Sequence, residues 1–200
     1  RDAKGNMLVD DNGFPIKETD KVIGNMLPKW TGSVGTSLQW KDITLGALVD
    51  VRYGGNFISM TDNYACFTGN SKRTLEGRSG MVVNGLVEST GKENAKQITA
   101  EEYYANIGGS NGIAEAFMYD GTYVKMRELS LGWTLPKLWL RSTPLKSVKV
   151  SAVARDLFFL YKDAPVNAES AFSREDYAQA FEFASLPPTR SLGFSLNVKF

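Results

Sequence analysis

Residues 30–53 read WTGSVGTSLQW, then KD, then ITLGALVDVRY. In the first half, alternate residues are Trp30, Gly32, Val34, Thr36, Leu38 and Trp40, with Thr31, Ser33, Gly35, Ser37 and Gln39 between them. After Lys41-Asp42 the pattern restarts as Ile43, Leu45, Ala47, Val49, Val51 and Tyr53, against Thr44, Gly46, Leu48, Asp50 and Arg52. Period-two alternation is the mark of a strand with unlike faces. Two residues between such runs make a tight hairpin. Asp50 and Arg52 both fall on the second phase, so the first is free of charge along the whole run.

Strand length then separates two solvents. Strands of soluble sheets are mostly about 5–6 residues long. An eleven-residue run at about 3.3 Å per residue spans roughly 36 Å, and a tilt near 40° brings this to about 28 Å, close to the apolar band of an outer-membrane barrel at about 25 Å. Trp30 and Trp40 bracket the first run, Tyr53 closes the second, and Trp133 sits near the end of a later one. Aromatic residues at both edges of an apolar face form the girdles that membrane interfaces select.

Three further runs follow, at about 119–135, 147–161 and 190–200. The third carries Leu129, Leu131, Trp133 and Leu135 on one phase and Glu128, Ser130, Gly132 and Thr134 on the other. Lys125 and Arg127 share its apolar phase, so that portion is expected to lie outside any apolar layer. In the fourth, Val148, Val150, Ala152 and Ala154 alternate with polar residues until Asp156 falls on the apolar phase. Either a β-bulge shifts the phase there or the strand leaves its apolar surroundings. The connections after the first and third runs are short, whereas 54–118 and 162–189 are long. That asymmetry is expected of an outer-membrane barrel, with short periplasmic turns and long extracellular loops. Inside the longer loop, Thr99-Ala100-Glu101-Glu102 fits a capping box that starts a short helix.

Composition removes most chemistry. The chain of 200 residues has 23 basic and 22 acidic side chains, a net charge of +1, which argues against a nucleic-acid partner. It has no histidine and a single cysteine, Cys66, so imidazole catalysis, histidine metal ligation and an internal disulfide are excluded. No metal or cofactor site is expected. Gly85 to Lys92 has the wrong spacing for a phosphate loop, and Asp10-Asp11-Asn12-Gly13 lacks the spacing of a calcium loop. Glu101-Glu102 and Glu175-Asp176 are adjacent acids that point in different directions, and they read as solvated charge. The chain is therefore expected not to be an enzyme. No apolar run reaches the length of a transmembrane helix, and the polar residues 1–5 do not form a signal peptide.

Five stretches resemble the C-terminal part of the SusC/RagA-type TonB-dependent transporters of the Bacteroidetes outer membrane. They are Val22-Ile23-Gly24-Asn25 with Pro28-Lys29-Trp30-Thr31-Gly32; Val51-Arg52-Tyr53-Gly54-Gly55; Tyr123 to Leu131; Ala154 to Tyr161; and Leu186-Pro187-Pro188-Thr189-Arg190-Ser191 running to Phe200. One departure is Asp156, where the family commonly has asparagine. The resemblance implies a parent barrel of about 22 strands with a plug. It also implies energy drawn from the TonB complex, a SusD-like surface lipoprotein as partner, and an oligosaccharide or peptide as substrate. Nothing in residues 1–200 matches the plug, and single-chain bacterial barrels have an even strand number. Five strands therefore read as part of a larger barrel.

The expected fold is all-β, a transmembrane antiparallel β-barrel fragment in the outer membrane of a Gram-negative bacterium. It would wall the pore of a nutrient importer. The first, third and fifth strands would run toward the periplasm, with Asp50, Arg52, Glu128, Arg155 and Asn197 facing the lumen. Leu192, Phe194, Leu196, Val198 and Phe200 resemble the signal read by the outer-membrane assembly machinery. Phe57, Tyr64, Phe67, Tyr103 and Tyr104 in the long loop either contact substrate or partner, or pack the loop upon itself. The alternative is a secreted soluble β-sandwich that binds carbohydrate, which requires the apolar faces to meet in a core.

Overall fold

The structure, a computed structural model, describes residues 1–200 apart from the side chain of Tyr177. It divides into two compact units, residues 27–55, 120–169 and 186–200 in one and residues 1–26, 56–119 and 170–185 in the other.

The first unit is an antiparallel meander. Its strands are β1 (Trp30–Trp40), β2 (Ile43–Tyr53), β3 (Tyr123–Thr134), β4 (Ser147–Lys162) and β5 (Ser191–Lys199). They lie in the order β5-β4-β3-β2-β1, so each strand pairs with its neighbour in sequence. The Lys41-Asp42 turn sets the β1–β2 register, with Trp40 opposite Ile43 and Trp30 opposite Tyr53. Lys41 takes the left-handed backbone (φ 52°) that so short a hairpin needs. Since side chains alternate strictly, register fixes the faces. Leu45 lies opposite Leu131, Leu131 opposite Ala152, and Ala152 opposite Phe194. One continuous apolar surface results. Leu131 is 56% exposed and Phe194 88%. Among the described residues the remaining sheets have two or three strands of two to four residues each. The face has no second sheet of matching size against it, as the sandwich would require. Exposed apolar area on this scale marks a membrane or partner surface.

The register slips at three places, between Leu48 and Val49, between Arg155 and Phe158 and between Phe159 and Tyr161, and the first two revise the expected phase. Between β2 and β3, consecutive Leu48 and Val49 lie opposite Glu128 and Met126, which leaves Arg127 as the extra residue. Between β3 and β4, Glu128 and Met126 lie opposite Arg155 and Phe158, which leaves Asp156 and Leu157 against Arg127. The expectation that Lys125 and Arg127 lie outside an apolar layer is thus corrected. The bulge flips the phase, so Val124 and Met126 continue the apolar face, and Lys125 joins Asp50 on the polar one. The same device settles the fourth run, where Asp156 adopts φ 52°. Aspartate and asparagine tolerate that region better than other non-glycine residues.

The 119–135 run is also broken. Met118–Asp120 is a separate short strand. Asp120 Oδ1 accepts from the Thr122 N–H at 2.7 Å in the turn that precedes β3. Pro136 ends the sheet, and Lys137–Leu140 makes one helical turn, α3, that sets Trp139 edge-on to Trp133 at 5.6 Å.

The second unit fills most of the stretch expected as a long loop. It holds helices α1 (Met60–Phe67) and α2 (Ala100–Ile107) and short strand pairs such as Leu8–Val9 with Leu86–Val87. One small core gathers Val9, Val83 and Ile98, and another Cys66, Ile107 and Phe117. At the start of α2, Thr99 Oγ1 accepts from the Glu102 N–H at 3.2 Å, and Glu102 Oε2 accepts from the Thr99 N–H at 2.8 Å, closing the capping box. No helix is long and apolar enough to cross a membrane, which says nothing of strands.

The two faces are expected to respond oppositely to charge. In the full-length barrel in phospholipid vesicles, Val34→Arg on the apolar face should lower unfolding free energy by about 2–4 kcal/mol. Ser33→Arg, one residue away and opposite Asp50, should cost under about 1 kcal/mol. A urea titration followed by tryptophan fluorescence reads both. Equal losses would contradict the face assignment.

Candidate functional site

The polar face of the sheet carries the concentrated charge. At the β1–β2 hairpin end its residues are small, including Thr44, Gly46, Ser130 and Gly132. Lys149 crosses Gly132, where a Cβ would sit 2.5 Å from Lys149 Cε, and donates to Thr44 Oγ1 at 3.1 Å. Glycine leaves room there for the lysine chain to pass. Asn197 on β5 lies opposite Lys149. Midway along, Arg155 Nε donates to Glu128 Oε2 at 2.7 Å across the β3–β4 pair.

The bulges sit beside that pair, and an ion network is built on them. Arg127 donates through Nε to Asp50 Oδ2 at 2.5 Å, through Nη1 to Asp156 Oδ1 at 2.6 Å, and through Nη2 to Glu169. Its guanidinium thus joins β2, β4 and the segment that follows β4. Lys125 pairs with Asp156 at 3.0 Å and with Glu169. The Lys125 side chain is 2% exposed, and a buried ammonium is tolerated only when paired, since stripping its water costs several kcal/mol. Its Nζ also lies 5.1 Å from the centre of the Phe159 ring, which Tyr123 meets edge-on at 5.6 Å. Burial pushes the Glu169 carboxyl up, but hydrogen bonds from Lys125 and Arg127 outweigh it and hold the carboxyl below its ordinary range. Glu169 thereby fastens the 163–169 segment to the sheet.

The sequence reading placed Asp50, Arg52, Glu128, Arg155 and Asn197 on one phase, and the register puts all five on this face. It missed Lys125, Arg127, Asp156, Phe159 and Glu169. The signal for the first three was present as charges out of phase with the apolar pattern, which is how a bulge looks in a linear sequence. Glu169 gave none, because its contacts are set by a segment without period.

The aromatic residues Trp30 and Tyr53 meet at 6.1 Å at one end of the sheet, with Lys29 Nζ 5.5 Å from the Tyr53 ring. At the hairpin end Trp133 packs against Trp139, and Lys41 Nζ lies 5.2 Å from the Trp40 ring. Along β5, Leu192, Phe194 and Leu196 lie opposite Ala154, Ala152 and Val150, Val198 lies opposite Val148, and Phe200 follows the strand, 76% exposed. In the second unit, Phe57 is buried against Tyr119 and Tyr103 packs in both small cores. Tyr64 contacts Phe67 and Phe183. Tyr104 donates to the Arg73 carbonyl at 3.2 Å and, with Phe67, lines a cavity of about 500 Å³. Arg73 and Tyr119 both donate to the buried Asp62. Among the described residues no group of three or more histidine, cysteine, aspartate or glutamate side chains is placed to hold a metal.

Long antiparallel strands, one apolar face left open and one charged face define a segment of a transmembrane β-barrel. Comparison with known proteins agrees. No family model matches the chain. It is 24% identical over 198 residues to TonB-dependent receptor P3 of Formosa agariphila, an alignment covering 96% of this chain and 18% of that protein. Its fold superposes on a solved structure of the RagAB peptide importer in the open-open state with a TM-score of 0.62 at 14% identity, covering 98% of this chain and 20% of that one. The chain is thus similar to a segment of a TonB-dependent receptor and shares its fold with part of the solved importer, and it spans about a fifth of the length of the proteins it matches.

The Glu169 latch has a pH signature. A carboxyl whose pKa is depressed by folding stabilises the folded state above its unfolded pKa and loses that contribution as pH falls through the folded value. Amide protection factors in 163–169 should be full above about pH 4.5 and fall below it. In Glu169→Gln they should be low and flat with pH. Hydrogen exchange read by mass spectrometry on the full-length protein checks this, and an unchanged acid profile in the variant would contradict the latch.

Proposed function

We propose that the chain is a wall segment of an outer-membrane TonB-dependent nutrient importer in a Gram-negative bacterium. The single observation that carries this is the sheet itself, five strands of 9 to 16 residues with an exposed apolar face and an ion-rich opposite face. In this reading the apolar face meets lipid. The polar face, with Asp50, Arg52, Glu128, Arg155 and Asn197, looks into the lumen toward a plug and passing solute. The β1–β2 and β3–β4 turns face the periplasm, and the connections 54–118 and 162–189 are the extracellular loops. Both edge strands, β1 and β5, take further strands of the same barrel, since an unpaired edge cannot stand in hydrocarbon. Leu192, Phe194, Leu196, Val198 and Phe200 present the apolar stripe that assembly of the barrel reads.

The transported solute is an oligosaccharide or a peptide, captured with a SusD-like surface lipoprotein. Import is driven by the TonB complex acting through a region outside this chain. The segment does no chemistry. Support comes from the match to a protein named as a TonB-dependent receptor and from the fold likeness to a peptide importer.

Fractionation of cells expressing the full-length protein tests the reading. The protein should sediment with the outer membrane, resist carbonate extraction, need detergent to stay in solution, and run anomalously fast on an unheated SDS gel. Recovery as a monodisperse soluble monomer without detergent would overturn it and restore the soluble sandwich.

A further inference from the structure

Charge at the two ends of the sheet differs. At the hairpin end the turns and strand termini carry Lys41, Lys137, Arg141, Lys146 and Lys199, with Asp42 as the acid among them. All five cations are exposed, and among the described residues none has a carboxylate within ion-pair distance. At the other end, Lys29, Arg52, Lys162 and Arg190 stand against Asp120 and Asp163. The excess of positive charge is therefore larger at the hairpin rim.

The same rim has a shaped apolar seat. On the apolar face a groove of about 420 Å³ runs between Ile43, Leu131, Trp133, Val150, Ala152 and Phe194. It exists because Ala152 is small between large neighbours: it lies opposite Leu131 on one side and Phe194 on the other. At its hairpin end, Trp133 meets Trp139 of α3 edge-on. Leu138 and Trp139 of that turn are 69% and 62% exposed, between Lys137 and Arg141. A one-turn helix with apolar side chains outward and cations at both ends suits the boundary between acyl chains and headgroups.

Groove and cations together match one ligand chemistry, a hydrocarbon chain joined to an anionic headgroup. We propose that this rim holds one anionic glycerophospholipid, with an acyl chain over Ala152 and its phosphate among Lys41, Lys137 and Arg141. This rests on the barrel reading, which puts the hairpin end at the periplasmic leaflet. Basic clusters beside apolar membrane surfaces retain anionic lipids against bulk exchange. A zwitterionic lipid satisfies the groove and leaves the cations unanswered.

Native mass spectrometry of the full-length transporter in a non-ionic detergent, titrated separately with phosphatidylglycerol and phosphatidylcholine, reads the site. Phosphatidylglycerol should be retained at one tight site and phosphatidylcholine should not. The double variant Lys137→Gln/Arg141→Gln should weaken phosphatidylglycerol retention on the order of thirtyfold. Ala152→Trp should block retention with the cations intact. Heat-modifiable migration on a gel reports in each case that the barrel is folded, and if Ala152→Trp fails that check the surface-charge variant decides. Equal retention of the two lipids, or a folded charge variant that binds as before, would overturn the lipid site and leave the barrel reading standing. A protein that needs no detergent would overturn the barrel reading itself.

Discussion

In hydrocarbon, a backbone N–H or C=O without a partner costs several kcal/mol. A chain that crosses a bilayer as strands must therefore run one unbroken ladder from interface to interface. The meander of β1 to β5 obeys this. β1 pairs with β2 along eleven consecutive residues. The register slips between Leu48 and Val49, between Arg155 and Phe158 and between Phe159 and Tyr161, and the first two slips lie beside side chains that carry their own hydrogen bonds. Strand length and charge placement both follow from that requirement. The alternation sends polar side chains to one face, and the ladder keeps the backbone from needing water on the other.

The bulges are the exception that organises the polar face. Each extra residue costs its own strand one step of reach along its neighbour and shifts the phase of the side chains beyond it. Arg127 occupies such a position, and its planar fork meets carboxylates from β2, β4 and the 163–169 segment. Lys125, brought inward by the flipped phase, is buried against two of the same carboxylates. Two cations and three anions from separate parts of the chain are satisfied at one place. A left-handed Asp156 supplies both the turn of the backbone and one of the charges.

Much of this was legible in the sequence because the physics is periodic. Trp30 to Tyr53 shows two strands, their turn, their faces and their aromatic ends without any long-range information. Thr99 and Glu102 announce α2 through local hydrogen bonds alone. The network around Arg127 was legible only as an anomaly, since a bulge moves the phase of everything beyond it and a linear pattern cannot show which strand absorbs the extra residue. The stretch 54–118 was the least legible. Its two small cores depend on contacts such as Val9 with Ile98 and Cys66 with Phe117, which join short aperiodic segments far apart in the chain.

The central claim is that the two faces of β2 meet different solvents. Spin labels placed singly at residues 43–53 of the full-length protein in phospholipid vesicles test it most directly. Their collision rates with oxygen and with a water-soluble nickel chelate should oscillate with a period of two residues and in opposite phase. Oxygen access should peak at 45, 47, 49 and 51, and nickel access at 44, 46, 48 and 50. Collision rates that rise and fall together, or that show no oxygen maximum at any position, would contradict a lipid-facing sheet.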